Sequence, residues 1–93
     1  MPKRRHYVYI LTCSDGTLYT GYTTDMERRF EEHNSGNGAR YTRGRSPVVL
    51  SYLEESRNRG EALRRELMIK RTSRSTKLLL CGRYSRKSRN SVR

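Results

Sequence analysis

The chain has no tryptophan, one phenylalanine, two cysteines and two prolines among its 93 residues, and only 9 acidic side chains. Each scarcity excludes something. No stretch approaches the run of about 18 apolar residues that a membrane span needs, and the start Met1-Pro2-Lys3-Arg4-Arg5 is followed by no apolar signal core. The expectation is a cytoplasmic protein with no use for a membrane. Cys13 and Cys81 stand apart from each other and from His6 and His33, without the paired spacing of a zinc site, so both read as reduced, small apolar residues. With 32% of residues hydrophobic, the core must be small and supplied by a few short segments. The length leaves no room for a second one.

Positive charge is abundant instead. Against the 9 acidic residues stand 21 Lys+Arg, a formal charge of +12. Such a surplus repels itself in the compact state and attracts polyanions, which makes nucleic acid the leading partner. No Lys/Arg-rich helix carries the clean opposing apolar face of a membrane-surface segment, and no obligate protein partner is evident. From Gly82 onward the chain holds 5 basic and no acidic residues and almost nothing apolar. We therefore expect a single domain over residues 1–81 and a disordered basic tail over 82–93.

Local patterns give the order of elements. His6 to Leu11 is β-branched and aromatic, apolar on both faces, as a central strand should be. Ser14-Asp15-Gly16-Thr17 carries the Asp-Gly pair of a hairpin turn, and Leu18 to Tyr22 resumes strand character. Thr24-Asp25-Met26-Glu27 has the spacing of a capping box, predicting a helix to about Asn34 that Gly36 and Gly38 stop. A basic, turn-rich loop follows through Pro47, then a strand over Val48 to Glu54. Asn58 with Glu61 opens a helix to about Arg71, and Ser73 caps a last short helix ending near Leu80. The order is ββαβαα, an α/β (α+β) fold.

Helical geometry then singles out a few side chains. Ala62, Leu63, Leu67 and Ile69 read as one apolar stripe with Glu66 inside it, so a carboxylate points at the core and must meet a cation, either an arginine or a metal ion, unless the stripe reaches the surface edge and leaves Glu66 wet. Glu61 falls on the other side as a cap. On the first helix Met26 and Phe30 define the inner face, Arg29 and His33 lie along its edge, and Arg28 points outward. Arg29 is thus placed to clamp a phosphate with its planar fork. His33 taken alone reads as an ordinary hydrogen-bonding histidine. Four of the seven tyrosines, Tyr7, Tyr9, Tyr19 and Tyr22, belong to the hairpin, where Gly21 marks a close approach of another group.

In order and spacing, Tyr7-Val8-Tyr9, Tyr19-Thr20-Gly21, Arg29, His33 and Glu66 resemble the GIY-YIG nuclease family, over about residues 6 to 80. The stretch His33 to Arg43 resembles the small stand-alone bacterial members. Tyr7 stands where the first motif has glycine, and Thr20 replaces the middle residue of the second. The resemblance implies a three-stranded antiparallel sheet flanked by helices. It implies metal-dependent hydrolysis of DNA phosphodiesters, structure-specific or repair-related, with Mg²⁺ or Mn²⁺ bound by Glu66. By the same resemblance Tyr9 is the general base or orients the water, Tyr19 holds phosphate or water, and Arg29 with its companion His33 offsets developing charge. Neighbouring cations would have to favour the Tyr9 phenolate, because a free phenol titrates near about 10. Arg40, Tyr41, Arg43 and Arg45 would track nucleic-acid phosphates. RNA stays open as a substrate. The competing expectation is a non-catalytic basic nucleic-acid-binding or ribosome-associated module in which Glu66 only makes an ion pair.

Overall fold

The computed structural model describes residues 5–91, with side chains described through Ser85. Three strands, β1 (His6–Thr12), β2 (Leu18–Thr23) and β3 (Val49–Ser56), form an antiparallel sheet in the order β2-β1-β3. Helix α1 (Met26–Ser35) follows the hairpin, a single 3-10 turn spans Arg40–Thr42, and α2 (Arg59–Lys70) and α3 (Arg74–Ser91) close the chain. The order ββαβαα expected from the sequence is the one observed.

The central strand separates two small cores. Val8, Ile10, Ala62 and Ile69 pack on the α2 and α3 side, while Tyr9, Leu11, Cys13 and Val48 pack on the α1 side with Met26 and Phe30 against them. A run of four fully buried residues, Val8 to Leu11, follows from a strand flanked on both edges and covered on both faces. At the hairpin, Gly16 takes φ +84° and the Asp15 carboxylate accepts from the Thr17 amide and hydroxyl, at 3.1 and 2.6 Å. That geometry is what the Asp-Gly pair predicts.

Three expectations need correction. The cap of α1 is Asp25 rather than Thr24: its Oδ1 accepts from the Arg28 amide at 3.1 Å, and Thr23 rather than Thr24 serves the Asp25 amide. On α2 the buried stripe is Ala62 and Ile69 with half-buried Glu66, whereas Leu63 and Leu67 are exposed. Those leucines lie one residue round from the line that faces the sheet, a step of about 100°. Finally, α3 does not stop near Leu80. It continues past Gly82 to Ser91, so the expected disordered tail is helical as far as that residue; Val92 and Arg93 lie outside the described residues. Cys81 packs against the core and Tyr84 meets Tyr52 edge-on at 6.1 Å, which gives the second half of the helix an anchor that composition alone does not reveal.

Candidate active site

Tyr9 sits in the central strand directly opposite Gly21 of β2. A Cβ on Gly21 would collide with the Tyr9 hydroxyl and ζ carbon and touch the Tyr19 ring at 3.0 Å. The close approach expected at this glycine is therefore that of the Tyr9 ring. One turn into the opposite layer, α1 brings up Arg29 and His33. Arg29 has 28% of its side chain exposed against 66% for Arg28, in agreement with the inner and outer faces assigned from the sequence.

His33 lies deeper than its position in the sequence indicates. It is fully buried, with Nε2 2.9 Å from the Tyr9 hydroxyl and Nδ1 2.7 Å from Thr42 Oγ1. Gly38 makes this enclosure possible, because a Cβ there would stand 2.5 Å from Nδ1 and 2.7 Å from the His33 Cα. Asn34 pins the far end of the same loop by accepting from the Val48 amide at 2.7 Å. Neither Gly38 nor Thr42 could be picked out beforehand. A loop has no periodicity from which to read burial, and Thr42 sits between two exposed residues.

An aromatic cluster surrounds the hydroxyl of Tyr9. The Tyr9 ring is 5.8 Å from that of His33 and 6.3 Å from that of Tyr19, and Tyr19 lies 5.2 Å from His33. Tyr41 stacks on Tyr19 at 5.8 Å, and the Arg45 guanidinium lies 4.2 Å above the Tyr41 ring. Arg45 is tied down further by an ion pair with Asp15 at 2.9 Å, joining the loop to the hairpin turn. Arg40 and Arg43 are exposed and make no ion pair among the described residues.

Electrostatics separate the free protein from the working state that the resemblance implies. Burial pushes the Tyr9 phenol up to about 12, outweighing Arg29, which favours the phenolate, and Glu66 and Tyr19 push the same way as burial. Arg29 acts on that hydroxyl while donating from Nη1 to Glu32 Oε1 at 2.9 Å. The expected lowering by neighbouring cations is thus present but overcome by desolvation. His33 is pushed down to about 4, first by burial and then by the Arg29 charge, so its ring is neutral at physiological pH.

A depressed histidine pKa has a sign that can be checked. The unfolded chain binds this proton near pH 6.5 and the folded chain only near 4, so the stability contributed is intact above 6.5 and is lost progressively as pH falls toward 4. The expected loss is about 3 kcal/mol, measured by urea denaturation across that window. NMR titration should meanwhile show the His33 ring neutral at pH 5. A ring that protonates near pH 6 in the folded protein would contradict the assignment.

Glu66 stands on α2, which packs on the other face of the sheet, and its charge is among the influences that raise the Tyr9 phenol. Only 18% of its side chain is exposed, and the cation that meets it is neither of those expected from the sequence but Lys70, one turn on in the same helix, at 3.2 Å. Among the described residues no group of three or more His, Cys, Asp or Glu is placed to hold a metal. A single carboxylate still fits a Mg²⁺-like ion, which keeps several waters and takes one or two carboxylates together with substrate phosphate. The donor set at Glu66 is compatible with such an ion.

A basic sheet-and-helix domain with two hairpin phenols and an arginine gathered at a buried histidine, and a carboxylate on α2, belongs to a known class. Residues 5–79 match the GIY-YIG catalytic domain, and the chain is a member of that nuclease family. Its relatives are the small UPF0213 proteins. One from Halobacterium salinarum is 58% identical over 72 residues, spanning 77% of this chain and 94% of the relative. Another from Streptococcus agalactiae is 56% identical over 72 residues, spanning 77% and 82%. The solution structure of a UPF0213 protein from Bacillus halodurans superposes with TM-score 0.55 at 50% identity, covering 84% of this chain and 83% of that one. A protein from E. faecalis, also solved in solution, gives 0.57 at 47%, covering 81% and 80%. Among the described residues no helix is long and apolar enough to cross a membrane.

Proposed function

We propose that the chain is a metal-dependent endonuclease that hydrolyses DNA phosphodiester bonds, with Mg²⁺ or Mn²⁺ held at Glu66. The observation that supports this most directly is the hydroxyl of Tyr9, on which His33, Arg29 and the charge of Glu66 all act. A divalent ion bound at Glu66 would supply Lewis acidity at the phosphate and stabilise the departing oxygen. The remaining work falls to the chain's own groups. Arg29, largely buried and held by Glu32, presents a planar cation to charge developing on the phosphoryl group. Tyr9 orients or activates the water, and its hydroxyl is held by His33 Nε2 at 2.9 Å. Tyr19, packed between His33 and Tyr41, walls the site where phosphate or water would rest. Arg40 and Arg43 are free to meet flanking phosphates, whereas Arg45 chiefly braces Tyr41 and the hairpin. We place the activity in the cytoplasm, on a structure-specific or repair-related DNA substrate.

The test is cleavage of duplex, nicked, branched and single-stranded DNA, and of RNA, with and without Mg²⁺ or Mn²⁺. Arg29→Ala should lower turnover by about 10²–10³-fold, the effect of removing one charged donor from a transition state, while Arg28→Ala stays within about twofold. Equal effects would undo the helix-face assignment. A purified protein that binds nucleic acid yet cuts none of these substrates is a basic binding or ribosome-associated module, with Glu66 as the partner of Lys70.

A further inference from the structure

Thr42 has no role assigned so far, yet its hydroxyl occupies a decisive place. Oγ1 lies 2.9 Å from the carbonyl oxygen of Ala39 and 2.7 Å from Nδ1 of His33. Both Thr42 and His33 are shut away from solvent, at 1% and 0% exposure, so water cannot rearrange these contacts. A hydroxyl has one proton to give, and a carbonyl oxygen can only accept. If that proton went to Nδ1 instead, two oxygens would face each other at 2.9 Å with nothing between them, a repulsive arrangement; the Thr42 amide already approaches Ala39 O along another direction, at 3.0 Å. The hydroxyl therefore donates to Ala39, and Oγ1 accepts from the imidazole.

We propose that Thr42 is a positioning residue that fixes His33 as its Nδ1–H tautomer, leaving the Nε2 lone pair aimed at the Tyr9 hydroxyl. The order of donors is then Tyr9 O–H to His33 Nε2, His33 Nδ1–H to Thr42 Oγ1, and Thr42 O–H to Ala39 O. In the opposite tautomer Nε2 would itself donate to Tyr9, and the phenol's own proton would have to point away from His33. The catalytic meaning of this assignment rests on the nuclease reading, but the tautomer itself does not.

The tautomer is read without any activity, from long-range ¹H–¹⁵N correlations of the His33 ring in the full-length labelled protein. Protonation at Nδ1 is expected in the wild type and in Thr42→Ser, and a shift to Nε2 in Thr42→Val. An Nε2–H ring in the wild type overturns the proposal. In the cleavage assay Thr42→Val should lose about 10²-fold in kcat with little change in KM, whereas Thr42→Ser stays within about threefold. Full kcat in a Thr42→Val protein whose ring has moved to Nε2–H would also overturn it. Should Thr42→Val fail to fold, as circular dichroism would show, the wild-type tautomer and the serine rescue still decide. An Nδ1–H ring in a protein that cuts nothing sinks the nuclease reading and leaves the tautomer assignment standing.

Discussion

Glu66→Gln is expected to abolish cleavage, by about 10³-fold or more at any Mg²⁺ or Mn²⁺ concentration, while nucleic-acid binding stays within about twofold. The amide has the shape of the carboxylate but no charge to hold a cation. Removing one of only 9 acidic residues from a chain of net charge +12 cannot weaken attraction to a polyanion. The fold should tolerate the change, because the partner lost is Lys70, which is 48% exposed and returns its ammonium to water at little cost. Nicking of supercoiled DNA, set beside a gel-shift titration at fixed salt, separates the two readouts. A variant that still cuts like the wild type would remove Glu66 from the metal assignment.

Tyr9→Phe tests the other half of the site. The ring remains and fills the same volume opposite Gly21, so the α1-side core keeps its packing. What disappears is the hydroxyl that meets His33 Nε2 at 2.9 Å, leaving a buried acceptor unpaired at a cost of about 1–3 kcal/mol. Cleavage should fall by about 10²–10⁴-fold, the usual contribution of a positioned proton acceptor. Thermal unfolding of the same preparation shows how much of the loss is stability. Turnover near the wild-type rate would take the phenol out of the proton path and leave water activation to other groups.

Much of this arrangement could be read from local pattern. The turn at Asp15-Gly16, the cap at Asn58 and the stop at Gly36 are set by interactions within a few residues, which is why sequence spacing reports them, and the strand His6–Thr12 shows in its β-branched and aromatic run. The inner and outer positions of Arg29 and Arg28 follow from helical geometry alone. Failures fell where a distant element intervened. Leu63 and Leu67 satisfy a helical stripe on paper, but the sheet meets α2 along Ala62, Glu66 and Ile69. Past Gly82 the chain is polar enough to read as disordered, yet Tyr84 finds Tyr52 on β3.

The choice of Tyr9 and Tyr19 as chemical groups came from the family resemblance; sequence by itself determined the ββαβαα order, the surplus of positive charge and the inner and outer faces of α1. Those properties follow from composition and from periods of two and 3.6 residues, both local quantities. Tertiary structure alone decided the protonation of the site. Burial drives the Tyr9 phenol up and the His33 imidazole down, and desolvation depends on everything packed around a group rather than on its neighbours in the chain. It also decided that Thr42 would lie against His33, because a loop is brought onto a helix by close approach at Gly38, which no repeat in the sequence encodes.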